Sequence, residues 1–210
     1  MSATDAAAVA AAKRVLRNAI RLRRDARPVG HRRADDLARV GRIQAQFPAG
    51  PPATVAAYLS AGSEPGTLPI ISWLAAHDRP ILLPVLTHDD GRWRPDPAWA
   101  QYQGPDALRT GRAGIVEPTG EVLPESAMAE VELIICPALA GTKGGDRLGR
   151  GGGWYDRVLA ATDSPTWVLL NDDEVLPVVP TADWDRPVDA LLTPTRFLLC
   201  HQEQAGPNIV

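Results

Sequence analysis

Five short apolar runs punctuate the chain: ATVAAYLS at 53–60, PILLPVL at 80–86, LIICPAL at 133–139, TWVLLN at 166–171 and DALLTPT at 189–195. Each has strand length and lacks the strict alternation of a strand with one wet face, so each predicts a buried strand. Helix-compatible stretches lie between them, notably Leu68 to His77 and Trp154 to Ala161. The alternation predicts an α/β domain with a mainly parallel sheet flanked by helices. Ahead of the first run, Val9, Ala12, Leu16, Ala19 and Ile20 recur at helical spacing, with Asp5 available as N-cap and Pro28 past the end, so one long helix is predicted over 5–27. Residues 87–130, rich in Gly, Pro, Asp and Trp, predict an irregular excursion or short β-hairpins. There is no internal repeat. A single domain over 1–200 is expected, followed by a loosely held polar tail at 201–210.

Composition narrows the class. With 45% apolar and 22% charged residues the chain is globular in type. Two cysteines, Cys136 and Cys200, make no disulfide framework and no zinc spacing, so a reducing cytoplasmic setting is expected and Cys136 reads as a packing residue. No apolar run reaches the roughly 20 residues of a membrane helix, so no membrane partner is expected. Half of the 22 basic residues fall between Lys13 and Arg42 although the net charge is -3. Lys13, Arg17, Arg21 and Arg24 recur at four, four and three residues, which puts them on one helical face. That face is either solvated or an anion site. Overall acidity and the lack of a reading motif argue against nucleic acid.

The densest signal is GGDRLGRGGGWYD at 144–156, which holds six glycines and follows directly on a predicted strand. Such a loop lets backbone N–H groups approach an anion, and Arg147, Arg150 and Asp156 are interleaved at positions suited to phosphate and metal. It is not a Walker loop, since no Gly-Lys pair exists, and GxGxxG fails because Trp154 stands at the third glycine. No GxSxG or HExxH occurs either.

The stretch RLGRGGGWYDR, Arg147 to Arg157, resembles the RLGxGxGYYD signature of the 5-formyltetrahydrofolate cyclo-ligase family. Four further blocks resemble that family in the same order: Lys13 and Arg17 near the start of the first helix, YLSAGSEPGT at 58–67, GIVEP at 114–118 and WDRPVDALLT at 184–193. The resemblance implies a sugar-isomerase and CoA-transferase-like (Rossmann-like) sheet, a monomer, and an ATP-dependent ligase. That enzyme turns a reduced folate, 5-formyltetrahydrofolate, into the 5,10-methenyl form. It implies ATP contacts from Lys13, Arg14, Arg17, Arg147, Leu148, Gly149, Arg150, Gly151, Gly152, Gly153, Trp154 and Tyr155. Substrate contacts would come from Leu59, Glu64, Arg150, Gly152 and Trp154, with Arg147 and Arg150 at the chemistry and Mg²⁺ on Asp156 and Asp185. Trp154 and Trp184 depart from the family's usual Tyr and His; an indole stacks but supplies no phenolic hydroxyl.

Structural readings stand beside these roles. Asp156 and Glu64 are each placed to cap a following helix, and Asp185 to close a surface turn. Another phosphate-ligand enzyme of the same fold, or a non-catalytic nucleotide- or folate-binding homologue, fits the same residues.

Overall fold

Successive residues of each central strand enter two different apolar layers, which is why the runs show no polar alternation. Val55, Leu83, Leu133 and Ile135 join the core on one face, while Ala56, Leu82, Ile134 and Cys136 join the core on the other. The computed structural model describes residues 2–200; the tail expected at 201–210 lies outside them. Its main sheet has seven strands. Strands β1 (Val55–Ala56), β2 (Ile81–Pro84), β6 (Leu133–Pro137), β9 (Thr166–Leu169) and β10 (Ala190–Leu192) are parallel neighbours in the order β2-β1-β6-β9-β10. Antiparallel strands β3 (Trp99–Gln101) and β11 (Phe197–Leu199) close the two edges. Between β3 and β6, β4 (Leu108–Thr110) and β5 (Val116–Pro118) form a separate hairpin, as residues 87–130 predict.

The strands are shorter than the apolar runs. Only two residues of 53–60 belong to β1; Ala53 and Thr54 precede it, and Ala57 to Ser60 continue past the carboxyl end of the strand. From β1 the chain moves through α3 (Leu68–Ala75) to β2 on one side, and later from β6 through α4 (Trp154–Ala160) to β9 on the other. The connections diverge between β1 and β6, and in such sheets ligands bind outside the carboxyl ends of the strands at that point.

The first helix, α1 (Ala3–Asp25), is capped by Ser2 rather than by Asp5. The Ser2 hydroxyl accepts the Asp5 N–H at 3.2 Å and the Asp5 carboxylate accepts the Ser2 N–H at 3.1 Å, a reciprocal cap in which Asp5 is the third helical residue. A second helix, α2 (Val29–Gln46), was not among the predicted elements. It buries Ile43 with Val40 and Phe47 packed beside it, and its fully buried Arg39 donates to the Leu170 carbonyl, Asp36 and Asn171. The solvated reading of the α1 stripe fails at Lys13 and Arg24, only 7% and 2% exposed, whereas Arg17 is half-buried and Arg21 is exposed. None of the described helices is long and apolar enough to cross a membrane.

Candidate active site

The glycine loop grows out of a tight hairpin, β7 (Ala140–Gly141) with β8 (Arg147–Leu148), which sits on α1 through Ile20, Leu139 and Leu148. Beyond β8 the backbone at Gly151 and Gly153 takes φ of +109° and +66°, conformations that L side chains rarely adopt. A Cβ on Gly151 would also stand 3.3 Å from the Arg17 guanidinium carbon, a tight contact that Arg17 would have to yield to. Arg17 Nε donates to the Gly149 carbonyl at 2.8 Å and Arg21 reaches the Arg150 carbonyl at 3.4 Å, so α1 holds the loop from one side.

Two cavities meet at this loop. One, of about 560 Å³, opens at the carboxyl ends of β1, β2 and β6 and is lined by Tyr58, Leu59, Glu64, Pro84, Pro137 and Trp154, among others, with Gly149 to Gly153 as one wall. The other, a cleft of about 250 Å³, lies between α1 and the Ala182–Asp185 turn and is lined by Lys13, Arg17, Trp184 and Asp185, with Gly149, Gly151 and Gly153 again as wall. Arg147 and Asp156 border both. Along α1 the cleft is lined by Ala6, Val9, Ala10, Lys13 and Arg17 in turn, so it passes from apolar to cationic as it nears the loop. Trp184, 63% exposed, stands over it.

Three cations at the loop are paired with carboxylates. Lys13 binds Asp185 and Arg147 binds Asp156, so each carboxylate predicted to hold metal neutralises a cation predicted to hold phosphate. Arg150 pairs with Glu64 at 3.0 Å. Burial, then the neighbouring Arg21 charge, lowers the pKa of the Arg17 guanidinium, as expected for a cation without a carboxylate of its own. Among the described residues no three His, Cys, Asp or Glu side chains gather as a metal cluster. Asp156 and Asp185 nevertheless line one cleft, and two hard oxygen donors beside a phosphate site suit an ion that takes its other ligands from phosphate and water.

The structure also discriminates among the structural readings. Asp156 is the third residue of α4 and its carboxylate faces Arg147; no cap bond from it is seen among the described residues. Glu64 does not cap α3, whose N-cap is Thr67; its Oε2 accepts the Ala61 N–H at 2.8 Å and thereby closes its own turn. Asp185 does close a turn, accepting the Ala182 N–H at 2.6 Å, while also holding Lys13. Arg14 is exposed and borders neither cavity, so the structure does not bring it to the predicted phosphate site. Glu117 of the GIVEP block is buried and holds Leu86, Thr87 and Arg109, a structural tie rather than a pocket group. Burial pushes the Cys136 thiol up to about 11, in keeping with packing.

Sequence reading missed Tyr58, Trp93 and Arg112 as cavity residues. It also missed the means by which α2 sets the Glu64 turn. Asp36 accepts the Gly66 N–H at 2.7 Å, and a Cβ on Gly66 would fall 2.3 Å from the Asp36 carboxylate. Val40, Ile43 and Phe47 recur at helical spacing and signal α2, but two glycines and a dense run of charge obscured them.

Comparisons with known proteins agree with one another. The 5-formyltetrahydrofolate cyclo-ligase family profile matches residues 9–194. A 5-formyltetrahydrofolate cyclo-ligase of Mycolicibacterium smegmatis is 36% identical over 148 residues, 70% of this chain and 76% of the relative, and one of Escherichia coli K12 is 30% identical over 146 residues, 68% and 79%. In fold, the chain resembles the 5,10-methenyltetrahydrofolate synthetase of Aquifex aeolicus, with a TM-score of 0.74, 24% identity and coverage of 90% and 92%. A second such synthetase, from Mycoplasma pneumoniae, gives 0.67 at 17% identity, covering 87% and 98%. Glycine loop, paired cavities, profile and relatives converge, and the chain belongs to the 5-formyltetrahydrofolate cyclo-ligase family.

Proposed function

We propose that the chain converts 5-formyltetrahydrofolate and ATP to 5,10-methenyltetrahydrofolate, ADP and phosphate. The observation that carries this reading is that one glycine loop, Gly149 to Gly153, walls both a cationic cleft and a deep aromatic cavity. Two substrates seated on either side of it meet where Arg147 and Asp156 border both spaces. The formyl oxygen is a poor leaving group. Transfer of the γ-phosphoryl group to that oxygen makes it a phosphate ester, N10 then attacks the same carbon, and the C–O bond breaks as phosphate leaves with the electron pair. Phosphoryl transfer of this kind asks for positioning and charge neutralisation rather than a protein nucleophile.

The cleft orients the nucleotide, with Val9, Ala10 and Trp184 offering an apolar bed for the base, while Lys13, Arg17, Arg147 and the loop receive the phosphates. Asp156 and Asp185 are the groups that would hold Mg²⁺, which when bound neutralises developing phosphate charge. With a metal-nucleotide bound, Lys13 and Arg147 would turn to phosphate and Asp185 and Asp156 to the metal, so no charge would be left uncompensated. Tyr58, Trp154 and Tyr155 line the deep cavity, and their hydroxyl and indole N–H groups are buried with no hydrogen-bond partner among the described residues, so a polar ligand edge that reaches them would satisfy orphaned groups. Glu64 suits the adjacent amino and ring N–H donors of a pteridine, and taking them frees Arg150 to face the formyl oxygen.

The test is to incubate the purified protein with 5-formyltetrahydrofolate and Mg-ATP and follow the near-ultraviolet absorbance of the methenyl product. Product is expected only when both substrates are present, and EDTA is expected to stop it. No product under any condition overturns the reaction, and undiminished product in EDTA overturns the metal sites alone. A Glu64→Gln protein is expected to need about tenfold more 5-formyltetrahydrofolate at an unchanged KM for ATP. Its melting should barely move, since the amide oxygen still accepts the Ala61 N–H. A fall of several degrees with both constants unaltered assigns Glu64 to its turn only.

A further inference from the structure

The deep cavity is lined by four guanidinium groups, Arg21, Arg112, Arg147 and Arg150, but by only two carboxylates, Glu64 and Asp156. Both carboxylates are taken, by Arg150 and Arg147. Two positive charges are left over. Arg112 makes no ion pair or side-chain hydrogen bond among the described residues, and the one bond of Arg21 is the 3.4 Å contact to the Arg150 carbonyl. The two arginines belong to different elements, Arg21 to α1 and Arg112 to the single turn Arg112–Gly114 that joins β4 to β5. Both are exposed, whereas Tyr58, Leu59 and Trp154 of the same cavity are 4%, 8% and 6% exposed. The cavity is therefore aromatic in its depth and has unneutralised cations at its mouth. A matching ligand is flat inside and anionic outside.

We infer that Arg112 and Arg21 bind the carboxylates of an anionic tail on the substrate, and that Arg112 sets the enzyme's preference for substrates carrying that tail. This rests on the folate reading of the cavity: a reduced folate carries a p-aminobenzoyl group ending in a glutamyl residue with two carboxylates, which match the two spare cations in number. The phosphates of the nucleotide do not need these arginines, because the cleft across the loop has Lys13 and Arg17.

The experiment compares 5-formyltetrahydrofolate with 5-formyltetrahydropteroate, which keeps the formyl group and N10 but ends in a single benzoate carboxylate. Wild-type protein and an Arg112→Gln variant are assayed by methenyl absorbance at saturating Mg-ATP. Arg112→Gln is expected to raise the KM for the folate about tenfold while leaving kcat, the KM for ATP and the KM for the pteroate unchanged. Arg112→Lys should recover part of the loss, and added salt should weaken wild-type folate binding more than pteroate binding. Equal effects on the two substrates, or none on either, overturn the tail site while leaving the reaction intact. If the wild-type protein makes no methenyl product from either substrate, the folate reading itself falls, and the tail site falls with it.

Discussion

Replacing Asp156 by asparagine is expected to cost about 100-fold or more in kcat/KM while the protein stays folded. Asp156 borders both cavities and is the partner of Arg147, whose side chain is only 3% exposed. Asparagine keeps the size and an oxygen that still accepts from Arg147, so the loop retains its support. What is lost is the negative charge. In the free protein that charge balances Arg147; in the proposed complex it would help hold the metal while Arg147 faces phosphate. Without it, Asp185 alone would be left to hold the metal, and neutralisation would be weaker where phosphoryl charge develops. The measurement is steady-state kinetics across a range of Mg²⁺ together with a thermal melt. A rise in the Mg²⁺ requirement with a melting temperature within a few degrees of wild type supports the assignment. Turnover near wild type in the folded variant shows Asp156 to be only the counter-charge of Arg147.

The sequence was most legible where backbone need and chemistry coincide. Gly151 and Gly153 have positive φ, so the loop shows in the sequence as a glycine cluster that no ordinary packing demands. The buried strands were legible for the same reason that their ends were not. Two apolar layers make every residue of β6 from Leu133 to Cys136 apolar, but Tyr58 and Leu59 are equally apolar past the end of β1, where they line the cavity. Periodicity cannot tell a ladder from the pocket wall that continues it. The basic stripe of α1 shows the opposite limit. Spacing put four cations on one face, yet their fates differ by tertiary partner: Lys13 meets Asp185, Arg17 and Arg21 meet loop carbonyls, and Arg24 meets Glu174. Partners more than 120 residues away leave no mark in a local pattern. Arg112 was invisible for a related reason, since only the β4–β5 hairpin carries it to the cavity mouth.

Arg24 is expected to be the stability residue of that stripe and to have little direct part in binding. Its Nε and Nη2 donate to the two oxygens of Glu174 at 2.7 Å each, and Nη2 also donates to the Ala138 carbonyl at 2.7 Å. Both side chains are 2% exposed, so solvent screens the pair little. The contact pins the carboxyl-terminal part of α1 to the turn after β9, where Glu174 also accepts the Asn171 N–H at 2.8 Å. Arg24→Ala would leave Glu174 charged, buried and without its cation, at a cost of about 3 to 5 kcal/mol. For a chain of this length that corresponds to a fall of roughly 10 °C in melting temperature. A second variant separates the lost pair from the stranded charge. Arg24→Met combined with Glu174→Gln removes both charges while the amide oxygen can still take the Asn171 N–H, and it should melt above the single Arg24→Ala protein. Seven residues separate Arg24 from Arg17, about 10 Å along the helix, so the folded fraction of either variant should keep the KM for ATP of wild type. A large loss of ATP affinity at an unchanged melting temperature would instead make Arg24 part of the phosphate site, and the division of the stripe into binding and structural cations would fail.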